Sequence, residues 1–153
     1  MSYNNSATVY ITNNTGGNAI ITFSHRYSDD PVQVYPPTKI EPGKNAGPLE
    51  VGFNTGFLRS GTDQWFCGVQ VLDGPTAGAY SSEGSIDNPI KQCTLESEDN
   101  GLTLTFSVTT TNFVMTENSG TCSTSMNAAN AAAASALKQP KRLSASGVKV
   151  AAE

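Results

Sequence analysis

His25 is the single histidine of the chain and the obvious candidate for acid–base or nucleophilic chemistry. In the run Ser24-His25-Arg26-Tyr27-Ser28-Asp29-Asp30, serine hydroxyls and carboxylates lie close by in sequence, the parts from which a hydrolytic triad is made. The spacing speaks against one. There is no G-x-S-x-G elbow, and side chains along an extended strand alternate in direction, so Ser24, Ser28 and Asp29 diverge from the imidazole. A metal site of His25, Asp29 and Asp30 lacks a second histidine or a thiolate at a useful spacing. His25 is therefore expected to be structural, at the end of a strand. No catalytic residue, metal or cofactor is expected.

Glu96, Glu98 and Asp99 form the other acidic group, just before Asn100-Gly101. A glycosidase pair would need burial to raise the pKa of one carboxyl. Beside a turn, these carboxylates are expected to be solvated charges that discourage strand pairing, with calcium binding as the lesser alternative. Cys67, Cys93 and Cys122 are odd in number and far apart, unlike a disulfide framework or a metal-ligand set. They are expected to be reduced and mostly buried.

The aromatic residues offer binding rather than catalysis. Tyr27, Tyr35 and Phe57 lie on or beside two long loops, Ser28 to Gly47 and Asn54 to Asp63. Exposed aromatics there suit stacking on a sugar, insertion at a lipid headgroup interface or contact with a partner subunit. The candidate ligand contacts are thus Tyr27, Tyr35, Asn54, Phe57 and Asp63.

The elements that would position them are strands. Trp65, Cys67, Val69 and Val71 share one face of a period-two ribbon, and the large indole at its start calls for a central place in a thick apolar layer. Ala7 to Asn13 alternates in the same way, and the cluster Asn13 to Asn18 predicts an antiparallel return into Ala19 to Tyr27. Short strands are expected at Pro31 to Tyr35, Leu49 to Phe53 and Ile90 to Ser97. Asn100-Gly101 suits a type I′ hairpin leading into Leu102, Leu104, Phe106 and Val108, with a last strand over Asn112 to Thr116. The prediction is all-β, an antiparallel β-sandwich of about 7–8 short strands.

Two regions differ in composition. Residues 1–125 are expected to form the sandwich, and 126–153 an Ala-rich, helical or disordered basic tail. MNAANAAAASAL favours helix but has no amphipathic stripe, so little packing is expected to hold it. Lys141-Arg142-Leu143-Ser144 is a weak kinase-site pattern. The net charge of −4 divides into an acidic body and a basic tail, which argues against nucleic-acid binding by the body. The polar start MSYNNSATVY has no secretory h-region and no run approaches a membrane span, so a cytoplasmic location is expected. The sequons at Asn4 and Asn13 would matter only after unconventional secretion.

The order of several short motifs resembles a known family. His25-Arg26-Tyr27-Ser28-Asp29 is followed by Pro42-Gly43 and then Phe53-Asn54-Thr55-Gly56-Phe57-Leu58. Gly61, Asp63 and Trp65 come next, and Leu95-Glu96-Ser97-Glu98-Asp99 precedes a Thr-rich strand. Over roughly Ala7 to Met115 this is similar to the fungal branch of the PUD ("up-regulated in Daf") domain family, whose members resemble aegerolysins in fold. Fungal members often carry a long Ala/Gly-rich insertion after the Trp strand; here Asp73 to Pro89 stands in its place. The resemblance implies a non-enzymatic sandwich protein that recognises a membrane lipid headgroup or a protein partner through loops at its rim. The alternative is a lectin-like module using the same aromatics with Asp63 and Asn54. Edge strands, together with the resemblance, suggest a homodimer.

Overall fold

The computed structural model describes residues 3–57 and 61–138. Its strands are β1 (Asn5–Asn13), β2 (Ala19–Tyr27), β3 (Gln33–Ile40), β4 (Asn45–Phe53), β5 (Asp63–Val71) and β6 (Gly78–Ser81). The short β7 (Gly84–Ser85), β8 (Asn88–Pro89) and β9 (Lys91–Gln92) follow, then a 3₁₀ turn at Ser97–Asp99. β10 (Thr103–Val108), β11 (Asn112–Glu117), β12 (Gly120–Ser125) and the helix α1 (Ala128–Lys138) complete the order.

Two sheets carry the body. The first runs β12-β11-β10-β1-β4 and the second β3-β2-β5-β6, with β9 also beside β5. The inward residues are those the period-two pattern marks. Val9 and Ile11 of β1 and Phe106 and Val108 of β10 meet Ile21, Phe23, Trp65 and Val69 of the second sheet in one buried cluster. The Trp65 and Phe106 rings meet edge to face at 5.1 Å, and the indole Nε1 donates to the Cys93 carbonyl at 2.9 Å. A buried indole N–H needs such a partner, and a strand flanked on both sides supplies the thickness the ring requires.

Several expectations about strand pairing are corrected. β1 and β2 do not form a hairpin: β1 pairs with β4 and β10, whereas β2 pairs with β3 and β5. The turn between them crosses from one sheet to the other around buried Asn13. The Asn13 Nδ2 donates to the Gly17 and Ile40 carbonyls, and its Oδ1 accepts from the Thr15 N–H. Those bonds satisfy the amide in the core, and the same burial closes the Asn13 sequon. The sandwich is not wholly antiparallel either, since β1 and β10 run parallel, Thr8 beside Thr103 through Asn13 beside Val108.

The predicted type I′ hairpin at Asn100-Gly101 is also replaced. Asn100 has φ −63° and ψ 130°, Gly101 has φ 79°, and the Leu102 N–H bonds the Asp99 carbonyl, which is a type II turn. The strand expected to pair there belongs to the other sheet, as β9 beside β5, so β10 has β1 and β11 as neighbours instead. Lys91–Gln92 is all the strand found within Ile90 to Ser97, while β12 and the short strands β6 to β8 carry too little apolar alternation to be read from sequence. Cys93 and Cys122 are joined in a disulfide, with Cα atoms 6.0 Å apart, which corrects the expectation of three thiols. Cys67 is a buried free thiol whose pKa burial raises.

The Ala-rich segment packs more than its uniform composition suggests. Asn127 caps α1 by accepting from the Asn130 N–H at 2.8 Å. Ala134 is buried with Phe66 and Ile86 on the outer face of the second sheet, and Met126 enters the main core. A stripe of alanine suffices because the large partners are supplied by the sheet. Lys141 to Ser144 lies outside the described residues. None of the described helices is long and apolar enough to cross a membrane.

Candidate functional site

One end of the sandwich gathers the segment before β1, the ends of β3 and β4, and the Asn100 turn. Between them lies an open cleft of about 350 Å³ lined by Tyr3, Asn5, Ser6, Gln33, Glu50 and Asn100, among others. Its wall requires a glycine. The Tyr3 ring lies against Gly52 so closely that any Cβ there would collide with it. Burial, and then the nearby Asp30 carboxylate, raise the Tyr3 phenol above its ordinary pKa.

A buried relay stands behind the cleft. The Nε2 of His25 is 2.5 Å from Asp63 Oδ1, and its Nδ1 is 2.8 Å from Gln33 Oε1. Asp63 Oδ2 accepts the Leu95 N–H at 2.9 Å. Gln33 Oε1 also accepts the Gly52 N–H at 3.3 Å, which fixes the amide with its oxygen inward. Both ring nitrogens of His25 are therefore engaged by buried oxygen atoms of the protein. His25 lies near the end of β2, fully buried and hydrogen-bonded rather than solvated.

Among the described residues of the Asn54 to Asp63 segment, Asn54 and Thr55 are held while Phe57 is exposed. Asn4 ties the loop's first residues to the cleft: its N–H donates to Asn54 Oδ1 at 2.9 Å and its Nδ2 to the Thr55 carbonyl at 2.8 Å. Two residues further on, Phe57 is 91% exposed.

Of the expected ligand contacts, Phe57 alone projects freely. Tyr27 is buried and its hydroxyl donates to the Asn54 backbone carbonyl at 3.2 Å, while half-buried Asn54 spends its Oδ1 on the Asn4 N–H. Tyr35 is on β3, not in a loop, and half-buried with its ring 5.2 Å from Phe23. Asp63 is at 0% exposure, spent on His25 and Leu95, and is corrected from a ligand contact to a structural residue. Sequence reasoning missed Tyr3, Asn5, Gln33, Glu50 and Asn100. Their polar types are commonplace, and their convergence depends on three separate strands.

The acidic group divides likewise. Glu96 and Glu98 are exposed as expected, but Asp99 is buried. Asp99 accepts from the N–H groups of Asn118, Ser119 and Glu96 and from the Ser119 hydroxyl, so it pins the β11–β12 turn. Beside it, burial and then the Asp99 and Asp63 carboxylates push the Glu117 carboxyl up to about 9. Glu117 Oε2 has no hydrogen-bond partner among the described residues, which is consistent with a neutral carboxyl.

A family model described as "Up-Regulated in long-lived daf-2" matches residues 3–88, more than half of the chain. No curated protein matches it.

Proposed function

The chain belongs to the family up-regulated in long-lived daf-2, and from that premise we propose that it is a non-enzymatic binding protein that recognises a lipid headgroup at a membrane surface. The observation that carries the proposal is Phe57, almost wholly exposed two residues beyond the Asn54-Thr55 pair that Asn4 fastens. A large apolar ring exposed to water is costly and gains on entering an interface. The motif resemblance to fungal members of the family, with the aegerolysin-like fold which that resemblance implies, favours the same reading, as does the engagement of both His25 nitrogens. The acidic body points to neutral or zwitterionic lipid over anionic lipid.

One phenylalanine is a weak anchor. Burying it is worth about 2 kcal/mol, or roughly a 30-fold gain in partition, so the rim needs a second, more specific contact. Sedimentation with phosphatidylcholine, sphingolipid and sterol vesicles tests the reading. The protein should pellet with at least one composition, and Phe57→Ser should release it without a change in Tm. Absence from every pellet overturns the membrane reading and leaves a protein partner.

Two further expectations stand beside it. β12 is a sheet edge without charge or proline, which supports a homodimer through strand pairing. The Cys93–Cys122 bridge favours an oxidising compartment over the cytoplasm that the polar N-terminus suggested.

A further inference from the structure

We propose that the cleft bounded by Tyr3, Asn5, Gln33, Glu50 and Asn100 binds a neutral sugar ring. The argument begins with which polar atoms the protein has already used. Gln33 Oε1 accepts from Gly52 N–H and is 2.8 Å from His25 Nδ1, so its Nε2 hydrogens are left for the cleft. Asn100 Oδ1 accepts the Ser6 N–H at 2.9 Å, which leaves its Nδ2 hydrogens. Asn5 is the reverse case: its Nδ2 donates to Asn4 Oδ1 at 2.9 Å and to Thr55 Oγ1 at 2.5 Å, leaving Oδ1 as an acceptor. Glu50 Oε2 accepts the Thr8 hydroxyl at 2.5 Å, leaving Oε1. Each side chain is held by one end and offers the other.

The cleft thus offers two pinned amide donors, two pinned acceptors and an aromatic ring. A sugar hydroxyl both donates and accepts, so a ring bearing several of them matches an alternating set of this kind, while its C–H face suits the ring of Tyr3. Preorganisation matters because side chains already immobilised lose little entropy on binding. The volume of about 350 Å³ lies toward the small end of ligand pockets. No lysine or arginine lines the cleft among the described residues, which disfavours a phosphate or carboxylate ligand. The buried Asp63–His25 pair is the positioning element, since it orients Gln33 without reaching the cleft itself.

A sugar ring could come from a free glycan or from a glycolipid headgroup, the second contact that Phe57 lacks. The glycolipid source rests on the membrane reading, whereas binding of a free glycan does not.

The test is ligand-observed NMR on the full chain with a panel of neutral methyl hexosides, together with sedimentation on phosphatidylcholine vesicles with and without glucosylceramide. At least one hexoside should show saturation transfer. Asn100→Asp keeps the oxygen that holds Ser6 but replaces the donor, and Glu50→Gln keeps the bond to Thr8 but replaces the free acceptor. Each should weaken binding at least 10-fold with an unchanged Tm, while Phe57→Ser leaves hexoside binding intact. Retention on glucosylceramide vesicles that is lost in Asn100→Asp assigns the headgroup as a source of the sugar. Silence across the hexosides, or equal binding by both isosteric variants, overturns the proposal. So does preference for choline or ethanolamine over every hexoside. Vesicle binding that ignores the sugar but needs Phe57 leaves the membrane reading standing without it.

Discussion

The imidazole of His25 and the carboxylate of Asp63 meet at 2.5 Å with both side chains at 0% exposure. They come from neighbouring strands in a register that pairs His25 with Trp65 and Tyr27 with Asp63. Asp63 thereby sits diagonally across from His25 on the inward face, within reach of a side chain. Removing the imidazole leaves a buried carboxylate with the Leu95 N–H as its remaining partner. His25→Ala should cost about 3–5 kcal/mol, read from urea denaturation midpoints at constant m. A loss below 1 kcal/mol would show that the pair is not held as described.

Cys93 and Cys122 close a loop with a sequence separation of 29, and in the chain-entropy account such a bridge contributes about 3–4 kcal/mol. Thiol titration of the unreduced, denatured protein should find one reactive group, Cys67. After reduction it should find three, and the reduced protein should melt at a lower temperature. Three thiols before reduction would dismiss the bridge.

The Trp65 strand was legible because its inward residues from Trp65 to Val71 are all apolar, so period two shows directly. The same period carries Asp63 inward, and an inward acid requires a partner. His25 stands on the inward face of β2 with Ile21, Phe23 and Tyr27, so the pairing was available from alternation alone. It was obscured because Ser60-Gly61-Thr62-Asp63 has the composition of a loop. The cleft was not legible in the same way. Tyr3, Gln33, Glu50 and Asn100 meet because β1 pairs with β4 and β10 while β3 lies across the sandwich, and these sheet assignments leave no local mark in polar residues. The exposure of Phe57 was legible because a bulky apolar residue directly after the turn-forming Asn54-Thr55-Gly56 stands out in any register.

Glu117 gives the fold a pH dependence of definite sign. Its carboxyl titrates near 4.5 in an unfolded chain and at about 9 in the folded one, chiefly because burial disfavours the charge. Between those values the native state binds more protons than the unfolded state. The contribution of Glu117 is thus full below pH 4.5 and is lost as pH rises toward 9. Glu117→Gln keeps a neutral side chain of similar shape. In the variant, the fall in Tm between pH 5 and pH 9 should be shallower than in the wild type. Identical slopes would place the carboxyl in water.

Ala134 should decide whether α1 belongs to the folded body. An isolated helix of 11 residues is marginal in water even when rich in alanine, so α1 depends on its docking. That docking rests on Ala134 against Phe66 and Ile86, on the backbone bridge between Ser81 and Asn127, and on Asn130 Nδ2 bonding the Ser81 carbonyl at 3.2 Å. Ala134→Asp would bury an unpaired carboxylate at the seam, whereas Ala133→Asp places the same charge in solvent one residue away. Both changes lower helix propensity equally, so any difference between them reports docking alone. Ala134→Asp should lose the helical component of the far-ultraviolet circular dichroism and destabilise the protein by about 1–3 kcal/mol, while Ala133→Asp shifts it by less than about 1 kcal/mol. Equal spectra for the two variants would mean that the helix neither needs the sheet nor contributes to it.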